Sequence, residues 1–153
     1  LAAHPGWRGS FVDRSAAAEP YCRGYLETLG LSSRGAPVTG DIESLPGPAA
    51  HFDLVIATEV LEHTSDPQRA RAELTRILKP GGLLAVGVPV DLDIPMHPVV
   101  FGSVEAVRDF FVHFGYELLA EDLVMPLVTD AVAEALPEFI GCAHSVFRRS
   151  TDA

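Results

Sequence analysis

The residues best suited to chemistry in this sequence lie between Thr58 and His63, where two carboxylates and an imidazole stand close together. Glu59, Glu62 and His63 have the spacing i, i+3, i+4, which places them on one face of a helical turn. Such a face can chelate Mg²⁺ or Mn²⁺ if water or a further side chain such as His97 completes the ligand set. The same groups can accept a proton from a substrate, so the segment is the first candidate for a functional site.

The segment is flanked by the signals of a strand, a helix and a second strand. Phe52 to Ile56 is a short apolar, β-branched run, which predicts a strand covered on both faces. Ser65, Asp66 and Pro67 supply a cap and a first-turn proline for a helix, and Lys79 to Gly82 ends it. Leu83 to Val88 then predicts a second buried strand. The helix has one apolar stripe: Ala70, Leu74, Ile77 and Leu78. Ligands bind at the carboxyl ends of such strands, where Thr58 stands.

Two further acids follow predicted strands in the first third of the chain. Gly9 to Val12 is a short strand that closes on Asp13, and Pro37 to Asp41 is another that ends in an acid. A carboxylate at such a position can accept hydrogen bonds from both hydroxyls of a ribose. Asp13 can equally cap the helix that follows it, and Asp41 can belong to an ordinary turn. From these residues alone, both alternatives stay open.

The remaining elements are predicted from periodicity and from turn residues. The first is a helix at Ala16 to Leu29, with Tyr21, Tyr25 and Leu29 at helical spacing. After the central strands come a functional or mobile loop at Pro89 to Gly102, a helix capped by Ser103 and ended by Gly115, and a strand at Tyr116 to Leu123. A short helix at Asp130 to Leu136 and a last strand at Phe139 to Arg148 follow, and this last strand is predicted to be an antiparallel edge partner of the strand before it.

Composition restricts the class of protein. With 153 residues and 48% hydrophobic residues, the chain is expected to form one globular α/β domain over residues 1–153. A net charge of −10 argues against a nucleic-acid partner, which calls for a basic face. No apolar run is long enough for a membrane span, and no signal peptide is seen. The two cysteines, Cys22 and Cys142, lack metal spacing, so a reducing, cytoplasmic location is expected.

Between Phe52 and Val88, the motifs FDLV, EVLEH, DP and LKPGGLL occur in order. Together they resemble the central portion of the class I S-adenosylmethionine-dependent methyltransferases of the small-molecule type. The phrase HFGYELL resembles the family's passage from a helix, through glycine and an aromatic residue, into strand six. The resemblance runs from about Gly9 to Phe147. It implies a Rossmann-like, doubly wound α/β fold, with a mostly parallel sheet and an antiparallel last strand.

The resemblance also implies a cofactor, S-adenosyl-L-methionine, and roles for individual residues. By this match Asp13 binds the ribose, Asp41 meets the exocyclic amine of adenine, and Ile42 lies against the adenine ring. The cofactor-binding residues so implied are Asp13, Arg14, Asp41, Ile42, Thr58 and Glu59. His63 and His97 are the candidate catalytic bases, because a hydroxyl or amine acceptor loses a proton when it is methylated.

The pattern E-x-x-E-H also resembles a divalent-metal set found in some O-methyltransferases, including ubiquinone-pathway enzymes and small-RNA 2′-O-methyltransferases. By that match Glu59, Glu62 and His63 hold Mg²⁺, which lowers the pKa of an acceptor hydroxyl. Many relatives without a metal carry the same Glu-His pair. A metal site, a metal-free base and a structural role therefore stay open for His63, and the acidic net charge disfavours RNA as the acceptor.

The family opens with a central strand and a glycine-rich turn, and no such turn precedes Asp13. We therefore expect an N-terminally incomplete methyltransferase domain that lacks the strand between those ending at Asp13 and Thr58, and that binds its cofactor weakly. The predicted activity is methyl transfer to oxygen or nitrogen of a small organic acceptor, with no nucleic-acid or membrane partner. The oligomeric state stays open.

Two alternatives from other classes remain. In a nicotinamide-dependent Rossmann enzyme, Asp13 would also bind a ribose. A methyltransferase-like module without catalysis would work by binding partners. An antiparallel last strand favours the methyltransferase over the nicotinamide enzyme.

Overall fold

The computed structural model describes residues 4–124 and 141–151. The chain divides into two compact units, Leu1–Pro46 and Gly47–Ala153, which are described separately. The organisation as a single domain stays a prediction. The predicted short helix Asp130 to Leu136 and the first two residues of the predicted last strand lie outside the described residues.

The first unit contains β1 (Gly9–Asp13), α1 (Ala18–Thr28) and β2 (Gly35–Thr39). The two strands are parallel and pair along their whole length. The prediction of β1 is confirmed, whereas β2 begins two residues earlier than predicted and ends before Asp41. Helix α1 is followed by Gly30 at φ +67°, a left-handed conformation that suits glycine at the end of a helix.

The predicted apolar stripe of α1 is exposed. Tyr21 is 81% and Tyr25 67% exposed, and Leu29 is also exposed, whereas Leu26 is buried. Leu26 packs on β2, since a Cβ added at Gly35 would lie 2.6 Å from Leu26 Cδ2. The spacing therefore predicts the helix, but the residues at that spacing are not its buried face. A tyrosine keeps its hydroxyl in water at little cost, so aromatic spacing is weak evidence for burial.

The second unit is a four-stranded mixed sheet in the order β3-β4-β6-β5. Its elements are β3 (Phe52–Thr58), a 3₁₀ turn (Leu61–His63), α2 (Pro67–Ile77), β4 (Leu78–Val90), α3 (Val104–Val112), β5 (Tyr116–Val124) and β6 (Gly141–Arg149). Strand β3 is parallel to β4, and β6 is antiparallel to both β4 and β5. For the described residues, this confirms the predicted antiparallel direction of the last strand.

The predicted edge position of the last strand is wrong, because β6 lies inside the described sheet and β5 at its edge. Burial explains the order. Alternate residues of β6 are fully buried, among them Ala143 and Phe147, whereas β5 exposes Glu117 and Asp122. A strand with apolar residues that can pack against helices belongs in the interior, and charged residues protect an edge.

Helices α2 and α3 begin where the capping residues predict. The Asp66 carboxylate accepts a hydrogen bond from the Arg69 N–H at 3.0 Å, and the Ser103 hydroxyl accepts one from the Ala106 N–H at 3.1 Å. The predicted stripe of α2 is buried, and Phe111 of α3 packs on Phe147 of β6 with 5.0 Å between ring centroids. Both helices thus cover one face of the sheet.

The other face of the sheet, called here the open face, is formed by Ile56, Thr58, Ala85, Gly87, Cys142, His144 and Val146, which neighbour one another in register. All of these residues except Gly87 are half-buried or exposed. Ile56 is 65% exposed, so the prediction that β3 is covered on both faces is wrong. The apolar run predicts the strand, but it does not show which of the two faces is packed.

Four strands have a partner on one side only. Among the described residues, β1 and β2 pair only with each other, β3 pairs with β4 alone, and β5 pairs with β6 alone. Of these, β1 and β3 are the two strands for which the sequence predicts an unpaired edge. On β3, Asp53 forms an ion pair with Lys79 of β4 at 2.6 Å.

Candidate active site

Glu62 lies in the 3₁₀ turn that follows β3, and it is 1% exposed. Neither carboxylate oxygen has a hydrogen-bond partner among the described residues. The backbone of the turn is held in place, because Glu62 O accepts a hydrogen bond from the Val99 N–H at 3.2 Å. Burial raises the pKa of Glu62 above its ordinary value of 4.5, and the nearby Glu59 carboxylate raises it further. A buried carboxyl without a hydrogen-bond partner is costly, which makes Glu62 a candidate functional residue.

Two histidines face this carboxyl. The Nδ1 of His63 lies 2.9 Å from Met96 O, and the Nδ1 of His97 lies 3.3 Å from Leu92 O. A carbonyl oxygen can only accept, so each Nδ1 donates its hydrogen. Each neutral imidazole therefore carries its lone pair on Nε2, the form that accepts a proton or binds a metal. The two rings are 4.8 Å apart between centroids.

The predicted loop at Pro89 to Gly102 brings His97 to this place. Strand β4 continues through Val90, so the irregular segment begins two residues later, at Asp91. The segment returns on itself, because the Asp91 N–H donates to Phe101 O at 2.8 Å. Inside this return His97 is buried, and its neighbours Leu92 and Met96 supply the carbonyls that orient the two imidazoles.

Glu62, His63 and His97 form a cluster in which one ligand atom from each residue lies within 4.8 Å of the others. The His63 Nε2 is 3.8 Å from Glu62 Oε1. Glu59, the third member of the predicted metal set, is not part of this group among the described residues. Its backbone has φ +52° and turns the chain at the end of β3, and its side chain bonds to Cys142 instead. The prediction from the spacing i, i+3, i+4 requires a regular helical turn that already includes Glu59, whereas the 3₁₀ turn begins at Leu61.

The thiol of Cys142 on β6 lies beside Glu59. Burial and, to a lesser extent, the carboxylates of Glu59 and Glu62 raise its pKa to about 11. Only the thiolate is a good nucleophile, so Cys142 is unreactive near neutral pH.

This gives a prediction for alkylation. In Glu59→Gln, we expect iodoacetamide to label Cys142 several-fold faster at pH 9 than in the wild type, because a negative charge that opposes the thiolate is gone. Mass spectrometry of the tryptic peptides measures the rate, with Cys22 in the same sample as the control for reagent quality. An unchanged Cys142 rate would show that Glu59 does not act on the thiol.

The predicted residues of the first unit make local hydrogen bonds. Asp13 Oδ1 accepts from the Ser15 N–H at 2.7 Å, and Asp41 Oδ1 accepts from the Glu43 N–H at 2.9 Å. Asp41 is therefore a turn-forming acid, which is the alternative that the sequence left open for it. Asp13 also bonds within a turn and does not cap α1, which begins at Ala18 after Ala17 without a side-chain cap bond. Each uses one carboxylate oxygen in this way. Arg14 is exposed and Ile42 half-buried. The cofactor roles of these residues stay predictions, as do those of Thr58 and Glu59 at the end of β3.

Sequence reasoning missed one feature of the sheet. His144 of β6 pairs with Gly87 of β4, which in turn pairs with Thr58 of β3. No local signal reveals this alignment, because it depends on the register of strands far apart in sequence.

The model of the family described as "Methyltransferase domain" matches residues 4–86, more than half of the chain. The chain belongs to the class I S-adenosylmethionine-dependent methyltransferases. The family implies S-adenosylmethionine as the cofactor. The antiparallel β6 agrees with this assignment and disfavours the nicotinamide-dependent alternative.

Curated relatives of this methyltransferase are similar over part of their length. The ubiquinone/menaquinone biosynthesis C-methyltransferase UbiE of Psychromonas ingrahamii is 39% identical over 64 residues, which are 42% of this chain and 26% of that protein. The sterol 24-C-methyltransferase of Eremothecium gossypii is 28% identical over 115 residues, 64% of this chain and 31% of that protein. This methyltransferase thus spans between about a quarter and a third of these relatives.

Among solved structures, the [4+2]-cyclase SpnF is similar with a TM-score of 0.82 and 21% identity, covering 97% of this chain and 69% of that one. This likeness shows the fold alone, since one fold can host different reactions. No helix within residues 4–124 and 141–151 of the methyltransferase is long and apolar enough to cross a membrane.

Proposed function

We propose that this methyltransferase transfers the methyl group of S-adenosyl-L-methionine to an oxygen or nitrogen of a small organic acceptor, and that His63 takes up the acceptor's proton. The cluster of Glu62, His63 and His97 is the observation that supports this function. The His63 side chain is 42% exposed, so a ligand can reach Nε2, whereas Glu62 behind it is buried. The net charge of −10 supports a small acceptor over a nucleic acid.

The bound cofactor supplies an electrophilic methyl group on a positively charged sulfur. The residues of the chain align the acceptor and manage its proton. With the cofactor bound, its methyl group would pass to the acceptor's oxygen or nitrogen, the electron pair of the carbon–sulfur bond would stay on sulfur, and His63 Nε2 would take up the proton that the acceptor loses. The carbonyl of Met96 keeps that nitrogen available by holding the hydrogen of Nδ1. The carboxylate of Glu62, 3.8 Å away, stabilises the imidazolium that results.

His97 has a supporting role in this proposal. Its ring contacts that of His63, and its Nε2 is the second nitrogen able to accept a proton in the cluster. Cofactor contacts follow the family match in each unit. In the first unit Asp13 binds the ribose, Asp41 and Ile42 bind adenine, and Arg14 is a further cofactor-binding residue. In the second unit Thr58 and Glu59 bind the cofactor at the end of β3.

Binding and transfer are tested separately. S-adenosylhomocysteine is titrated into the 153-residue chain up to millimolar concentration and followed by NMR, which detects weak binding. Methyl transfer from labelled cofactor to a panel of phenols and amines is then compared in the wild type, His63→Gln and His51→Gln, where His51 is an exposed histidine outside the cluster. We expect His63→Gln to lower kcat by roughly 10² to 10⁴-fold while the affinity for S-adenosylhomocysteine stays unchanged. Absence of binding at every concentration would favour the non-catalytic module.

A second candidate mechanism uses a divalent cation at the same cluster. Within the described part of the chain, the Glu62 oxygens have no hydrogen-bond partner, and together with the Nε2 atoms of His63 and His97 they fit a cation. Two imidazoles and one carboxylate suit Mn²⁺ or Zn²⁺ better than the Mg²⁺ of the sequence prediction, which prefers oxygen ligands. A cation held by Glu62, His63 and His97 would supply a positive charge that lowers the pKa of an acceptor hydroxyl.

Manganese alone tests this candidate. Addition of MnCl₂ to the wild type is expected to broaden the imidazole NMR signals of His63 and His97 at stoichiometric concentration, because Mn²⁺ is paramagnetic. His97→Gln removes one ligand and weakens the broadening at His63, whereas Glu59→Gln leaves it unchanged. Equal broadening at the exposed His51 would indicate surface binding and exclude the site.

A further inference from the structure

Residues 94–100 (IPMHPVV), called here the apolar segment, present apolar side chains to solvent beside the candidate active site. Both prolines of the segment are exposed, as are Met96 at 67% and Val100 at 42%. The segment contains no lysine, arginine, aspartate or glutamate, and its one ionisable side chain, that of His97, is buried. An exposed apolar surface next to a candidate site is a place where the apolar part of a ligand gains by binding.

Two hydrogen bonds tie the apolar segment to the 3₁₀ turn that carries the proposed base. The His63 Nδ1 lies 2.9 Å from Met96 O. The Val99 N–H donates to Glu62 O at 3.2 Å. The backbone of the segment is therefore fixed relative to the imidazole of His63. Its side chains form a surface that exists before a ligand binds, which lowers the entropic cost of binding.

Met96 combines a main-chain contact to the base with an exposed side chain. Its carbonyl oxygen bonds to the His63 imidazole, so the Met96 side chain is attached to the chain only two bonds from that oxygen. The side chains of both residues reach solvent, His63 at 42% and Met96 at 67% exposure, whereas Glu62 behind them is buried. A methionine side chain is unbranched and adapts to apolar ligands of different shapes, and its sulfur makes favourable contacts with aromatic rings.

We propose that the apolar segment is one wall of the acceptor site, and that Met96 is a specificity-determining residue that selects acceptors whose reactive oxygen or nitrogen is attached to an apolar body. The inference rests on the proposed function, in which His63 Nε2 takes up the acceptor's proton. With the reactive atom at that nitrogen, an alkyl or aryl group beside it covers Met96 and Val100. Each methylene that is removed from water in this way strengthens binding by about fourfold. A compact, charged acceptor gains nothing from the segment, because the exposed part of the segment carries no charge.

The probes for this wall are 4-butylphenol and phenol, which carry the same hydroxyl and differ only in an alkyl chain. The sequence has two methionines, Met96 and Met125, so labelling with ¹³C-methyl methionine gives two NMR signals, and Met96→Leu identifies that of Met96. In titrations of the 153-residue chain, we expect 4-butylphenol to shift the Met96 signal at concentrations about tenfold lower than phenol does, as for two buried methylenes. Equal concentrations for the two phenols, or a Met96 signal that neither of them shifts, would overturn the inference.

Turnover tests the selection itself with matched variants. The ratio of KM for phenol to KM for 4-butylphenol is expected to be about tenfold in the wild type and in Met96→Leu, which keeps an apolar side chain of similar size. In Met96→Ser the ratio is expected to fall to about twofold, since the main-chain oxygen that holds His63 stays but the apolar side chain is gone. The control is Val112→Ser, a change at an exposed valine of α3, which should keep the ratio of the wild type. A ratio that Met96→Ser leaves unchanged would contradict the role of Met96.

This inference and the proposed function fail in different ways. If labelled cofactor methylates phenols without any preference for 4-butylphenol, the inference fails and the proposed function stands. If no phenol or amine is methylated, the proposed function fails, and the Met96 signal still decides whether the apolar segment binds an apolar body.

Discussion

Replacing Glu62 by methionine is expected to make the protein more stable and to remove most of its activity. Glu62 is 1% exposed, and neither oxygen has a hydrogen-bond partner among the described residues. Such a group costs about 1–3 kcal/mol of stability, which an unbranched apolar side chain of similar size recovers. Urea unfolding at neutral pH measures the gain. In the proposed mechanism, the same change removes the charge that stabilises the His63 imidazolium, so kcat falls.

The gain in stability should depend on pH with a definite sign. The pKa of Glu62 is raised in the folded protein above its ordinary value of 4.5, which we assign to the unfolded chain. Well below that value the carboxyl is protonated in both the folded and the unfolded state, and the difference in the free energy of unfolding between Glu62→Met and the wild type is smallest. As pH rises through the folded-state pKa, the wild type must ionise a buried group and loses stability relative to Glu62→Met.

Glu59→Gln is the matched control, because Glu59 is a neighbouring but exposed carboxylate. Its free energy of unfolding should differ from the wild type by less than about 0.5 kcal/mol, as for most surface substitutions. A difference between wild type and Glu62→Met that stays constant between about pH 4 and about pH 8 would contradict the raised pKa. A less stable Glu62→Met would instead show that the carboxyl has a structural role.

Replacing Asp13 by asparagine is expected to weaken cofactor binding by roughly 10 to 100-fold while leaving the fold intact. Asp13 Oδ1 accepts a hydrogen bond from the Ser15 N–H at 2.7 Å, which the amide oxygen of asparagine can replace. The second carboxylate oxygen is the one assigned to ribose, and the amide nitrogen that takes its place cannot accept a hydrogen bond. Bonds to a charged acceptor contribute about 1.5–3 kcal/mol, which corresponds to this change in affinity.

Calorimetric or NMR titration with S-adenosylhomocysteine measures the effect of Asp13→Asn. Asp13→Ala removes both the oxygen assigned to ribose and the oxygen bonded to the Ser15 N–H. It should therefore lose affinity to the same extent and also lose the turn bond to Ser15. Equal affinity of Asp13→Asn and wild type would leave Asp13 with its turn-forming role alone. Asp41→Asn offers the same comparison for adenine, since its Oδ1 is likewise bonded to the Glu43 N–H.

Local signals predict the elements of this fold well. Asp66 and Ser103 cap their helices as expected, because a cap depends on residues three positions apart. The position of β6 inside the sheet does not follow from such signals. It depends on which strands pair across long stretches of sequence, which no local pattern specifies.

In the candidate site too, local signals predict which residues are present but not how distant segments meet. The sequence predicts His63 and Glu62 as neighbours of a strand end, and names His97 as a base. That His97 packs against Glu62 follows only from the return of the chain between Asp91 and Phe101, which no periodic pattern encodes. The orientation of Glu59 toward Cys142 depends on a single backbone conformation, φ +52°, that glutamate seldom adopts.

The one-sided pairing of β3 has a consequence for how the protein behaves at high concentration. A strand edge with free N–H and C=O groups is a template on which other copies can add, so self-association competes with the monomer during purification and storage. Asp53, with a side chain 84% exposed, and the net charge of −10 oppose such stacking by colloidal repulsion. Salt screens that repulsion, so concentrated samples keep best in buffers of low ionic strength well above the isoelectric point of about 4.9.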